Sequence, residues 1–111
     1  MAAEKVLREL IKEINKLLSI LKANPDNAWY HCFLNIQDKS EELIADGLSH
    51  EEIMDLSRLI QHAYTSEPSF NDYIAPKGTI GLERMRRRVM ELKIILVAKS
   101  LEDLGVLDPS P

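Results

Sequence analysis

Along this chain apolar residues recur in steps of three and four, the spacing that places them on one side of an α-helix. The first stretch is the most regular. Val6, Leu7, Leu10, Ile11, Ile14, Leu17, Leu18 and Leu21 form a continuous stripe, with Lys5, Glu9, Lys12, Glu13 and Lys16 toward solvent. It predicts a helix from about Ala3 to Lys22, closed at Asn24-Pro25 because the residue before a proline avoids the α region. A second helix is expected to begin near Pro25 and run to about Ala45. Its buried side is Trp29, Cys32, Phe33, Ile36, Leu43 and Ile44, its middle (residues 37–42) is polar, and Gly47 supplies a left-handed cap.

The third helix has the clearest start. Ser49 at the N-cap and Glu52 three residues later form a capping box, with Leu48 and Ile53 placed as a hydrophobic staple. Ile53, Leu56, Ile60 and Ala63 point inward, Leu59 and Tyr64 flank them, and the pattern fades near Thr65. The fourth helix is expected from Thr79 or Ile80 to Leu104, with Gly105 ending it and Leu107 docking beyond. Leu82, Met85, Val89, Leu92, Ile95, Leu96 and Lys99 follow one face. Met90, Ile94 and Val97 widen the arc, so this helix is expected to be the most buried.

Short links make neighbouring helices antiparallel. The expectation is an all-α fold, a small four-helix bundle forming a single domain over residues 1–111, with one long ordered loop between helices three and four. That loop, Thr65 to Thr79, exceeds the ~2–8 residues usual between bundle helices. Ser69 can cap a short turn, with Asp72 at its third position. Phe70 and Ile74, four apart, are expected to face the bundle with Tyr73 alongside, while Asn71 and Asp72 bond to local backbone. Two roles stay open: a plug over the end of the bundle, or a recognition loop presenting Asp72, Tyr73 and Lys77.

Composition narrows the function. Of 111 residues 45% are hydrophobic but only 5% aromatic, so the core is aliphatic and suits helix packing. A net charge of −4 argues against a dedicated nucleic-acid binder. Cys32 is the single cysteine, which excludes an intrachain disulfide and fits a reducing compartment. No apolar run reaches the ~18–20 residues of a membrane span, and the N-terminal pattern is not that of a signal peptide. The expected location is the cytoplasm.

Catalytic chemistry finds little support. His31 adjoins Cys32, yet adjacent helical positions point about 100° apart. His50, Glu51 and Asp55 come closest to a ligand set, without a second ligand pair, and His62 reads as surface polarity. The paired carboxylates lie on polar faces, and no glycine-rich phosphate loop is present. No enzyme, no cofactor and no metal are therefore expected. Among the arginines, Arg84, Arg87 and Arg88 share a face and Arg86 points elsewhere. Glu83 and Glu91 stand at i, i+4 from Arg87, and the cluster is expected to pair with carboxylates of helices two and three.

The acids are more telling. Between Asp26 and Arg58 stand Asp26, Asp38, Glu41, Glu42, Asp46, Glu51, Glu52 and Asp55, against only Lys39 and Arg58. Most cluster across the turn joining helices two and three, where they can steer a basic partner. Glu41, Glu42, Asp46, Glu51, Glu52 and Asp55 are the candidate partner-binding residues, with Asp72 and Tyr73 as a second contact.

A resemblance adds to this. Trp29, then Ile60-x-x-Ala63-Tyr64 leading to Ser69-Phe70-Asn71-Asp72, then Leu82-x-x-Met85-Arg86 and Glu91-Leu92, is similar to a family of small bacterial all-helical domains of unknown function. Some members look like immunity proteins for secreted toxins. The likeness spans residues 15–98, and this chain differs by Glu67-Pro68 before the motif and Ala75 to Gly78 after it. It implies a non-enzymatic protein-binding domain that neutralises a basic toxin domain by direct binding, and it carries no catalytic residues. The alternative is a self-associating structural or regulatory helical protein, with a homodimer through the broad apolar faces of helices one and four. Nucleic-acid binding through Arg84, Arg87 and Arg88 ranks below both.

Overall fold

The stripe on the first helix is buried almost without a break: Ala3, Leu7, Leu10, Ile14, Leu17 and Leu21 are all inaccessible to solvent or nearly so. In a computed structural model, which describes residues 2–24 and 26–105, this stripe belongs to α1 (Ala2–Leu21). It is followed by α2 (Ala28–Asp46), α3 (His50–Thr65), a 3-10 turn (Phe70–Asp72) and α4 (Leu82–Asp103). The fold is an all-α four-helix bundle, with no strand among the described residues. α1 packs most heavily on α4 and next on α2; α3 packs on α4 and, least of all, on α2. The helices thus form a closed square whose weakest side is α2–α3. The start of α1 is tied to the end of α4, where the Asp103 carboxylate accepts the Ala3 backbone N–H at 3.0 Å. That bond satisfies one of the free N–H groups of the first turn.

Caps set most of the boundaries. Ser49 accepts the Glu52 N–H at 3.2 Å and starts α3, the N-cap half of the expected capping box. Leu48 and Ile53 line one small cleft beside it. α2 starts later than expected: the Asn27 side chain accepts the Trp29 N–H at 2.8 Å, so helix begins at Ala28. The expected start at Pro25 lies outside the described residues, as does Leu107. α4 also starts late, at Leu82, because Gly81 takes a left-handed conformation with φ 85° that breaks the helix behind it. The Glu67–Pro68 peptide bond is cis.

The buried line of α4 is Arg86, Val89, Leu92, Lys93, Leu96 and Ser100. The expected face was rotated by about one residue. Met85 and Met90 are half-buried, Ile94 is exposed, and Lys99 lies partly out and pairs with Glu102 at 3.1 Å. α1 therefore has the cleaner apolar burial, and α4 contributes two buried cations. The polar middle of α2 is also not all solvated. Gln37 is buried and its amide donates to the Ile11 carbonyl at 3.2 Å, and the Ser40 hydroxyl donates to the Ile36 carbonyl at 2.8 Å. The Gln37 amide nitrogen is thus satisfied across α1 and α2, while its carbonyl oxygen is buried without a partner.

Candidate protein-binding surfaces

The loop between α3 and α4 turns its motif inward. Phe70 is fully buried, with ring centroids 4.6 Å from Phe33, 5.4 Å from Trp29, 5.7 Å from Tyr64 and 5.8 Å from Tyr73. Ser69 starts the 3-10 turn: its hydroxyl donates to the Tyr64 carbonyl at 2.6 Å and accepts the Asn71 N–H at 3.1 Å. Of the chain's six aromatic residues all but Tyr30 are thus gathered in one cluster around Phe70.

Arg86 completes the cluster. Its guanidinium carbon lies 5.0 Å from the Phe70 ring centroid, a cation–π contact made away from water. Nη1 donates to the Asn71 carbonyl at 3.2 Å and to the Glu83 carboxylate, and Nη2 donates to the Tyr73 carbonyl. The planar fork of a guanidinium suits this double grip on two loop carbonyls, which an ammonium would not reproduce. Arg86 is 4% exposed, and its charge is balanced by Glu83, whose side chain is 77% exposed. The Tyr64 hydroxyl donates to the Arg86 carbonyl at 3.0 Å. Burial pushes that hydroxyl well above the usual tyrosine range, more than the nearby Arg86 pulls it back.

Sequence reasoning set Arg86 apart from its neighbours without finding this role. The signal was the phase of α4: positions 86, 89, 93, 96 and 100 are spaced by three and four, with Arg86 and Lys93 among them. Lys93 is buried as well, its ammonium donating to the Gln61 side chain, and burial lowers its pKa. Ile74 corrects the loop expectation. The helical turn ends at Asp72, so the i, i+4 relation with Phe70 is lost, and Ile74 stands 88% exposed. Of the two candidate contacts in the loop, Asp72 is exposed and Tyr73 is only half-buried against Phe70.

The acidic candidates sit differently. Glu41, Glu42 and Asp46 lie in the last turns of α2, and Glu51, Glu52 and Asp55 in the first turns of α3. All are exposed, so the structure gathers them around one turn at the loosest side of the bundle. Asp55 pairs with Arg58 at 2.8 Å; the others form no ion pair among the described residues. Asp72, on the far loop, is not part of this cluster. The arginines do not neutralise it. Arg88 pairs with Glu91 at 3.3 Å and with Glu9 of α1 at 3.7 Å, and Glu83 pairs with Arg86 instead of Arg87. The expected pairing with α2 and α3 does not occur because the arginine face of α4 turns toward α1.

Two candidate groups for chemistry are engaged or disfavoured by the fold. His50 Nδ1 and Ser100 Oγ share a hydrogen bond of 2.6 Å that joins α3 to α4. Cys32 is half-buried, and burial raises its thiol pKa, which disfavours the nucleophilic thiolate. Among the described residues no three His, Cys, Asp or Glu side chains converge as a metal site would need, and no helix is long and apolar enough to cross a membrane. Compared with protein-family models, curated proteins and solved structures, the chain finds no match.

Proposed function

We propose that the protein is a non-enzymatic binding domain that covers a basic protein partner with the acidic turn between α2 and α3, as an immunity protein covers its toxin. The observation that supports this is the placement of charge there. Asp46 occupies the last turn of α2, which has no basic residue in that turn. A carboxylate at the negative end of a helix dipole costs about 0.3–1 kcal/mol. Asp46 has no ion-pair partner among the described residues to offset that cost, and neither do Glu41 and Glu42 one turn earlier. The α2 acids Glu41, Glu42 and Asp46 thus form no ion pair within the fold among the described residues, and a free field of carboxylates draws a basic surface and raises its association rate.

Co-expression with a neighbouring toxin gene tests this. A complex and rescued growth are expected, both lost when Glu42, Asp46 and Glu51 are changed to Lys in a chain that still folds. A complex that survives this triple reversal would sink the assignment to the acidic turn. The second reading, self-association, is favoured by exposed Ile94 in the middle of α4. Light scattering across concentrations separates the two: a monomer throughout removes self-association, and a dimer abolished by Ile94→Lys establishes it.

A further inference from the structure

We infer that the groove between α1 and α4 binds an acidic segment of a partner protein that also carries an apolar residue. The groove measures about 680 Å³ and is walled by Lys16 of α1 and by Arg84, Arg87 and Arg88 of α4, with Ile80 and Met85 at one end. A shallower cleft of about 210 Å³ continues it along the same helix pair to Leu92, sharing Glu13, Lys16 and Arg88. From Gly81 to Leu92 this is roughly 16 Å of helix at 1.5 Å per residue. A long, open trough suits an extended peptide; a compact metabolite is held in a pocket that encloses most of its surface.

The walls are specific about charge. Lys16 is paired with Glu13 at 3.0 Å, and Arg88 with Glu9 and Glu91. Arg84 and Arg87 are exposed and have no ion-pair partner among the described residues. Two planar guanidiniums one turn apart are thus left to take carboxylates, each able to accept a bidentate grip. Ile80, 86% exposed, offers an apolar contact beside them.

A nucleic acid fits less well. No aromatic side chain lines either cleft to stack a base, and Glu9, Glu13 and Glu91 interrupt the basic wall. A continuous phosphate backbone meets those glutamates, whereas a peptide can set its acids at Arg84 and Arg87 and leave other positions neutral. The groove belongs to the helix pair opposite the acidic α2–α3 turn, so this inference stands apart from the function proposed above.

Fluorescence anisotropy with the full chain and a fluorescein-labelled peptide of Glu-Glu-Leu repeats, at low salt, tests it. Saturable binding is expected, weakened at least ~tenfold by Arg84→Glu with Arg87→Glu, and about fivefold by Ile80→Asp or by Ser in place of Leu in the peptide. The three protein positions are exposed and carry no ion pair, so unchanged circular dichroism should confirm that the variants fold. The inference is overturned if the wild type shows no saturable binding or if the double arginine variant binds equally well. A single-stranded oligonucleotide of the same net charge binding more tightly than the peptide would overturn it in favour of a nucleic-acid site.

Discussion

The α3–α4 loop and the α2–α3 turn both connect helices and both carry acids, yet they use their residues in opposite ways. In the loop, Ser69, Phe70, Asn71 and Tyr73 spend their side chains or carbonyls on the core and on Arg86. At the turn, Glu41, Glu42, Asp46, Glu51 and Glu52 make no ion pair with the fold among the described residues. The lesson is that length and aromatic content mark the loop as structure, and uncompensated charge marks the turn as surface. If the turn binds the partner as proposed, loop substitutions should act mainly on stability and turn substitutions mainly on binding.

The strongest way to break this contrast is Phe70→Ala. It empties the centre of the aromatic cluster and should lower stability by ~3–5 kcal/mol, read from chemical denaturation. A loss below ~1 kcal/mol would mean the loop is not core. Arg86→Met should cost ~2–4 kcal/mol, because it leaves the Asn71 and Tyr73 carbonyls without their charged donor. Arg86→Lys should recover less than half of that, since one ammonium cannot span both carbonyls and stack on the ring.

Tyr64→Phe removes one hydrogen bond to the Arg86 carbonyl and should cost about 1 kcal/mol at neutral pH. It should also change the alkaline limb. The folded-state pKa of Tyr64 is raised. Its contribution is therefore fully present below the ordinary tyrosine value of about 10 and is lost as pH climbs from there through the folded value. Wild type should lose stability above about pH 10 more steeply than Tyr64→Phe, measured by urea midpoints across that range. Equal slopes would remove the tyrosine from the account.

At the acidic turn the sign reverses. Asp46→Lys places a cation at the α2 C-terminus and should stabilise by about 0.5 kcal/mol while weakening the partner complex. A destabilised variant would show that Asp46 serves the fold after all. The smallest effect belongs to Ile74→Ser, at an exposed position in the same loop as Phe70, which should stay within ~0.5 kcal/mol of wild type.

Much of the bundle was legible from residues alone. The α1 stripe and the Ser49–Glu52 cap fixed two helices because apolar period and capping chemistry agree there. Asn27 caps α2, but in sequence Pro25 two residues earlier presents a competing start. Arg86 and Lys93 were illegible for a different reason. A cation inside a charged run reads as solvated, and only the shape of the neighbouring loop supplies the carbonyls that make burial of Arg86 tolerable. Helical spacing from Phe70 puts Ile74 inward, but the chain leaves the turn after Asp72 and Ile74 faces solvent. The acidic turn was legible as a location, since helix ends and charges are both sequence features. That its acids lack compensating cations needed the fold, which swings Arg88 toward Glu9.

Amide hydrogen exchange at Asp72 and Tyr73 tests the central claim most directly. Their N–H groups donate to the Ser69 and Phe70 carbonyls at 2.9 and 3.1 Å, within the segment that Phe70 and Arg86 anchor. If the loop is part of the core, the Tyr73 amide should open only with global unfolding and exchange as slowly as the centres of α3 and α4. Exchange near the rate of an unfolded chain, with α3 and α4 still protected, would contradict it and leave the loop free of the core.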